Sequence, residues 1–224
     1  MRNIKQIIFL GIIAIIQCTV SAQAPTETNK YKDATSTEIL KNLQKKINSY
    51  TDISMDFVFE TQKNGKFVDE IKGTTLIKKN KYLFQTAQQS IFCDGVNVWN
   101  YLPEQKEVTI SLYDKNDDSQ MFNPMSLINN YEKQYKSTFI KETMEKGVLI
   151  QIIDLTSIKA TSYYKVRLVI NKSKNQIMRF TVHEKDGTQY TYTIEKFLVN
   201  QALPDSRFVF DVAKYPNTEV IDIR

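Results

Sequence analysis

Residues 73–112 read GTTLIKKNKYLFQTAQQSIFCDGVNVWNYLPEQKEVTISL. Short apolar runs here alternate with turn formers. Tyr82 to Thr86 and Ser90 to Cys93 are separated from their neighbours by Asn80 and Asp94-Gly95. Val96 to Tyr101 leaves the Asp-Gly turn as a further run. Pro103-Glu104 ends that run before Val108, Ile110 and Leu112 alternate again. Alternation with a period of two, punctuated by Asn, Asp, Gly and Pro, predicts consecutive antiparallel strands. Asp94-Gly95 is sufficiently explained as a hairpin turn, and Gly73 inside a strand run predicts a bulge or bend.

The same pattern continues on both sides. Upstream, Ile53, Met55, Phe57 and Phe59 alternate with Ser54, Asp56 and Val58, and Asn64-Gly65 predicts a hairpin into the run Phe67 to Lys78. Downstream, Leu149 to Leu155, Tyr164 to Ile170, Ile177 to Glu184 and Tyr190 to Ile194 read as strands. The last block is Phe208, Phe210 and Val212, followed by Val220 to Ile223. Two stretches carry helical spacing instead. Ile39, Leu40, Leu43, Ile47 and Tyr50 follow a Thr35-x-x-Glu38 capping box. Met125, Leu127, Ile128, Tyr131 and Tyr135 follow Asn123-Pro124, an N-cap with proline at the first helical position. About eleven strands and two to three helices, with no repeat and no second core signal, predict one mainly β domain. Two amphipathic helices are too few to cover both faces of so large a sheet, so a curved sheet wrapped around them is the economical arrangement.

The start of the chain sets the compartment. Arg2 and Lys5 precede the apolar run Ile7 to Ile16, and Val20-Ser21-Ala22 or Ala22-Gln23-Ala24 offers a cleavage site. The run is shorter than the ~20 residues of a spanning helix. A cleaved signal peptide over residues 1–24 is therefore expected, with a single domain over 25–224, in the periplasm of a diderm bacterium. The rival reading, acylation of Cys18, lacks the small residue wanted before the cysteine, where Gln17 stands. After cleavage Cys93 is left without a partner and reads as a small buried hydrophobe.

The formal charge of +5 falls to +3 without Arg2 and Lys5, and the lysines are scattered among acids. That pattern is a solvated surface, and it offers no basic stripe for nucleic acid. His183, the single histidine, is remote from Cys93, and no catalytic or phosphate-loop motif occurs. The chain reads as a non-enzyme without cofactor or metal.

The order Gly73, Ile77-Lys78, Asp94-Gly95-x-x-x-Trp99-x-Tyr101-x-Pro103, Asn123-Pro124 and Phe208-x-Phe210 resembles the LolA family, periplasmic carriers of outer-membrane lipoproteins. The resemblance implies an open, incomplete antiparallel β-barrel with a helical lid over an apolar cavity for lipoprotein acyl chains. It implies acylated lipoproteins, an inner-membrane lipoprotein-releasing ABC transporter and an outer-membrane acceptor as partners of a monomer. The cavity candidates, each on an apolar strand or lid face, are Phe57, Phe59, Tyr82, Phe84, Trp99, Tyr101, Met125, Ile128 and Tyr131. Which strand parity faces inward stays open, as does whether the core is hollow or close-packed. The family places an arginine before a proline after the Ile-Lys strand, and that arginine is thought to latch the lid. Here the segment is Ile77-Lys78-Lys79-Asn80, so Lys78 or Lys79 is the latch candidate, and lysine lacks the planar donor fork. The alternatives are a lipid-sensing or partner-binding module on the same barrel, or a lipid-anchored acceptor.

Overall fold

A computed structural model describes residues 33–114 and 124–224, the side chains of residues 124–126 and 130 excepted. The first helix, α1 (Ala34–Asn48), is capped by Asp33, whose carboxylate accepts from Thr35 N–H, and not by the expected Thr35–Glu38 box. Leu40, Leu43 and Ile47 are its buried stripe, and Lys45 and Lys46 sit in its last turn, where cations complement the helix dipole. Strands β1 (Ile53–Lys63) and β2 (Lys66–Lys78) follow, joined by the Asn64-Gly65 turn with positive φ at both residues. A meander continues through β3 (Lys81–Thr86), β4 (Ser90–Cys93), β5 (Asn97–Leu102) and β6 (Glu107–Leu112).

The second helix, α2 (Pro124–Gln134), runs directly into β7 (Tyr135–Glu145), a strand the sequence pattern did not predict. A second meander comprises β8 (Val148–Ser157), β9 (Tyr163–Asn171), β10 (Gln176–Glu184) and β11 (Thr188–Val199). The expected strand at Phe208–Val212 is instead an irregular strap with short 3-10 turns at Asp205–Phe208 and Val212–Lys214. Only β12 (Glu219–Asp222) rejoins the sheet, parallel to β6.

All twelve strands form one open sheet in the order β12-β6-β5-β4-β3-β2-β1-β11-β10-β9-β8-β7, so it is not closed into a barrel. Tyr82 of β3 and Phe139 of β7 both pack on the cluster that contains the helix stripes. The sheet therefore curls around α1 and α2, which lie on its inner face. The strap lies on the outer face of β2–β6, where Leu76, Leu83, Phe92, Tyr101 and Val108 pack with Phe208 and Phe210. Cys93 is free and fully buried.

Gly73 makes no bulge, since the β1–β2 register shifts at Thr61/Gln62 instead. A Cβ at Gly73 would lie 2.5 Å from Phe57 Cζ and 2.4 Å from the Gln85 carbonyl oxygen. The glycine is there because the Phe57 ring crosses over it.

Candidate functional site

On β1 the alternation places Ile53, Met55, Phe57 and Phe59 inward, all buried. Because Gly73 has no side chain, Phe57 lies flat across β2 and reaches Phe84 on β3, with ring centroids 5.1 Å apart. On its other side Phe57 stacks on Tyr192 of β11 at 4.4 Å, and Tyr192 stacks on Phe180 of β10 at 5.0 Å. An aromatic row thus crosses the inner face from β3 to β10. Stacked rings contribute about 0.5–1.5 kcal/mol per pair beyond their area burial. Tyr192 meets the Thr75 hydroxyl at 3.1 Å, which satisfies the phenol, and burial pushes its pKa up. Phe59 and Tyr190 form a second stack at 5.7 Å.

The helices roof this face unequally. Helix α1 is pinned to the edge strand β7. Asp33 accepts from Phe139 N–H at 2.7 Å, and the hydroxyls of Ser36 and Ser137 meet at 2.9 Å in a buried site. Helix α2 inserts Leu127, Ile128 and Tyr131 into the same cluster. Among the described residues its polar ties to α1 are two long hydrogen bonds, from Gln44 Nε2 to the carbonyls of Ile128 (3.4 Å) and Asn129 (3.3 Å). Burial first, and Glu132 second, push the Tyr131 phenol up to about 12. In this conformation the helices fill the face. A void of about 10 Å³ remains between α1 (Leu43, Ile47, Tyr50) and β10–β11 (Ile177, Ile194, Phe197).

Six of the sequence candidates come together here: Phe57, Phe59, Tyr82, Phe84, Ile128 and Tyr131 all belong to or pack on the inner cluster. The Met125 side chain lies outside the described residues. Trp99 and Tyr101 do not join them, because both pack on the outer face with the strap. Tyr101 lies 5.3 Å from Phe210 and 4.6 Å from Tyr215, centroid to centroid. The physical reason is register: Phe92 pairs with Trp99 and Leu83 with Phe92, so all three share the strap side, while Tyr82 and Phe84 point inward.

Lys78 does not engage α2 either. Its ammonium donates to the Leu203 carbonyl at 2.7 Å and to Asp205 at 2.8 Å, and Lys81 reaches the same carboxylate at 2.7 Å. Lys79 is exposed in the turn, at φ 57°. Sequence reasoning missed Tyr192 and Phe180, which the parity of their strands could have supplied. It also missed Asp33, Ser36 and Gln44, whose roles depend on contacts with residues some 80–100 positions away and left no local signal. Among the described residues no group of three or more His, Cys, Asp and Glu could hold a metal ion.

The sequence matches a family model described as outer membrane lipoprotein carrier protein LolA. That model matches residues 48–211. The chain belongs to the LolA family. The matched span takes in the aromatic row, α2 and the strap through Asp211. Most of α1 and all of β12 lie outside it.

Among solved structures, an uncharacterized conserved protein of Thermus thermophilus is similar with a TM-score of 0.58 at 13% identity, covering 84% of this chain and 99% of that one. A LolA superfamily protein of Nitrosomonas europaea gives a TM-score of 0.43 at 15% identity, over 79% of this chain and 98% of that one. An uncharacterized protein of Methanocaldococcus jannaschii is 24% identical over 175 residues, 77% of this chain. The chain spans about half the length of that curated relative. The LolA fold is consistent with a lipid- or lipoprotein-binding module.

Proposed function

We propose that this protein is a periplasmic carrier that takes lipoprotein acyl chains onto the inner face of its sheet beneath α2 and shuttles them from the inner to the outer membrane. The inner-membrane lipoprotein-releasing ABC transporter would load it and an outer-membrane acceptor would unload it. The chemistry is binding alone, with no catalytic group. The observation that carries this reading is an aromatic inner face roofed by α2, whose described side chains pack apolarly on it and whose described hydrogen bonds to α1 are long.

Magnitudes favour exchange of roof for cargo. Lifting Leu127, Ile128 and Tyr131 off the sheet costs about 1.5–3 kcal/mol for each side chain exposed. One acyl chain of roughly fifteen methylenes gains about 12 kcal/mol by the ~0.8 kcal/mol of each buried methylene. The chain therefore outcompetes the helix, and a packed interior without cargo is compatible with a carrier. Beyond β3, Ile91 and Val98 are half-buried on strands whose side chains do not belong to the helix-filled cluster, and they extend the apolar surface on offer.

Native mass spectrometry of the protein purified from a periplasm, followed by lipid extraction, tests the reading. Co-purified acylated peptide or lipoprotein is the expected result. A bare chain that also fails to take up an acyl fluorophore would overturn it, and would favour the alternative that the close-packed interior supports, a LolA-like partner-binding module.

A further inference from the structure

A groove of about 670 Å³ runs along the flank of α1 that faces away from α2's packing stripe. One wall is Thr35, Glu38, Ile39, Asn42, Lys45, Lys46 and Ser49 of α1 and its cap; the other is Gln151, Lys172 and Asn175 at the ends of β8, β9 and β10. Two of its residues, Lys46 and Asn175, also line the apolar void between α1 and β10–β11. A third, Ile39, packs on the inner cluster. The groove is thus a polar vestibule whose floor continues into the apolar interior.

Its charge is mixed but leans positive. Lys45, Lys46 and Lys172 face it, against Glu38. The nearby Glu142 is already engaged, accepting from Lys172 Nζ at 2.9 Å and from Gln151 Nε2 at 3.1 Å. Lys46 donates to the Lys174 carbonyl, which leaves further ammonium hydrogens for a ligand. Lys45 is exposed and has no carboxylate partner among the described residues. The carbonyl end of α1 opposes an anion here, but Ser49 N–H and the two lysines of the last turn offset it. Amides of Asn42, Gln151 and Asn175 and the hydroxyl of Thr35 complete a set suited to phosphate and glycerol oxygens, while the Ser49 hydroxyl is taken up by the Lys46 carbonyl at 2.7 Å.

We infer that this vestibule seats the phosphate-bearing head of a diacyl glycerophospholipid, whose acyl chains pass between α1 and β10–β11 into the interior. The inference rests on the reading that the interior takes acyl chains, and it extends the cargo from lipoproteins to phospholipid monomers. Ammonium groups at an open groove hold a monoanionic head weakly and reversibly, as a carrier requires.

Calorimetric titration of the purified protein with three probes tests it: a short-chain phosphatidylglycerol, an uncharged alkyl maltoside of matched chain length, and inorganic phosphate. The wild type is expected to bind phosphatidylglycerol more tightly than the maltoside, and phosphate alone far more weakly. The Lys45→Glu/Lys46→Glu variant should lose roughly tenfold in phosphatidylglycerol affinity, on the scale of one or two interfacial charges, and keep its maltoside affinity. Asn42→Glu, which adds an acid at an exposed helical position and removes no lysine, should act in the same direction even where the double variant folds poorly. Unchanged phosphatidylglycerol binding in a folded variant overturns the head site and leaves the acyl reading standing. Phosphate binding as tight as the lipid's makes the groove an anion site and overturns the amphiphile. Failure of the wild type to bind either amphiphile removes the acyl reading and the head site with it.

Discussion

The two covers of the sheet are fastened by different physics. On the inner face the described contacts of α2 with α1 are side-chain packing and hydrogen bonds of 3.3–3.4 Å, and its last residue, Gln134, accepts from Ile158 N–H at 2.9 Å. On the outer face the strap is clamped by charge at several points. Asp52, only 2% exposed, accepts from Gln201 N–H at 2.7 Å, from the Thr51 hydroxyl at 3.1 Å and from Leu203 N–H at 3.4 Å. Lys78 and Lys81 both grip Asp205, whose carboxyl is held down to about 2, by Lys78 first and Lys81 second. Phe92, Tyr101, Phe210 and Tyr215 then interlock beneath the strap. Apolar contacts alone can be exchanged for other apolar contacts, whereas a buried carboxylate that loses its donors has nothing to replace them. On the proposed reading, one cover is traded and the other stays.

The largest effect on stability is expected at the fixed cover. Phe210→Ala empties a site that is 4% exposed and should cost about 3–5 kcal/mol in denaturant unfolding, while the folded fraction takes up an acyl probe normally. A loss under about 1 kcal/mol, the scale of a surface change, would mean the strap is not part of the core. Ile128→Glu attacks the tradable cover. It should abolish acyl uptake but cost only about 2–3 kcal/mol, the packing of one roof side chain, because α2 can lift the charge into water. Equal losses of folding and uptake would sink the distinction between the covers.

Asp52→Asn should cost about 1–3 kcal/mol, the desolvation penalty of donors left without their carboxylate. Burial pushes the Asp52 carboxyl up, but the hydrogen bonds from Gln201, Thr51, Leu203 and Ala202 outweigh it, and its pKa ends below 3.8. The native pKa is thus lower than the unfolded one. The contribution is complete above the unfolded value and is lost as pH falls through the native one. Stability measured from pH 6 downward should therefore decline less steeply on the acid side in Asp52→Asn than in the wild type. The smallest effect belongs to Lys78→Gln, because an ion pair open to solvent on its Asp205 side contributes little. Hydrogen exchange in the strap should rise, and the difference from wild type should shrink in high salt.

The same contrast explains what could be read from the chain. The β1 face was legible because only one side of that strand is buried, so Ile53, Met55, Phe57 and Phe59 stand out against polar neighbours. The Asn64-Gly65 and Asp94-Gly95 turns were legible from backbone chemistry, and both glycines have positive φ. Parity failed at β5 because both faces of β3–β5 are apolar. Leu83, Phe92, Trp99 and Tyr101 are as apolar as Tyr82, Phe84 and Ile91, and alternation carries no sign when inside and outside are alike. β7 escaped because its exposed edge alternates weakly and is rich in Lys, Thr and Glu. The partner of Lys78 was not legible because topology sets it: the β2–β3 turn lies beside the strap, so Lys78 finds Asp205 there.

The middle of the sheet is also its last joint. β1 pairs with β11, Ile53 against Val199 and Lys63 against Thr188, so the two meanders meet along a seam whose partners lie far apart in the chain. Closing such a loop carries an entropic cost that local hairpins avoid, and sheets dominated by distant pairings fold in milliseconds to seconds or slower. Neither meander can bury the aromatic row alone, since Phe84 and Phe57 come from one and Tyr192 and Phe180 from the other. While the chain is being synthesised, the aromatic row has nothing to close upon until β11 arrives, so the last meander decides when the interior of the first is sealed.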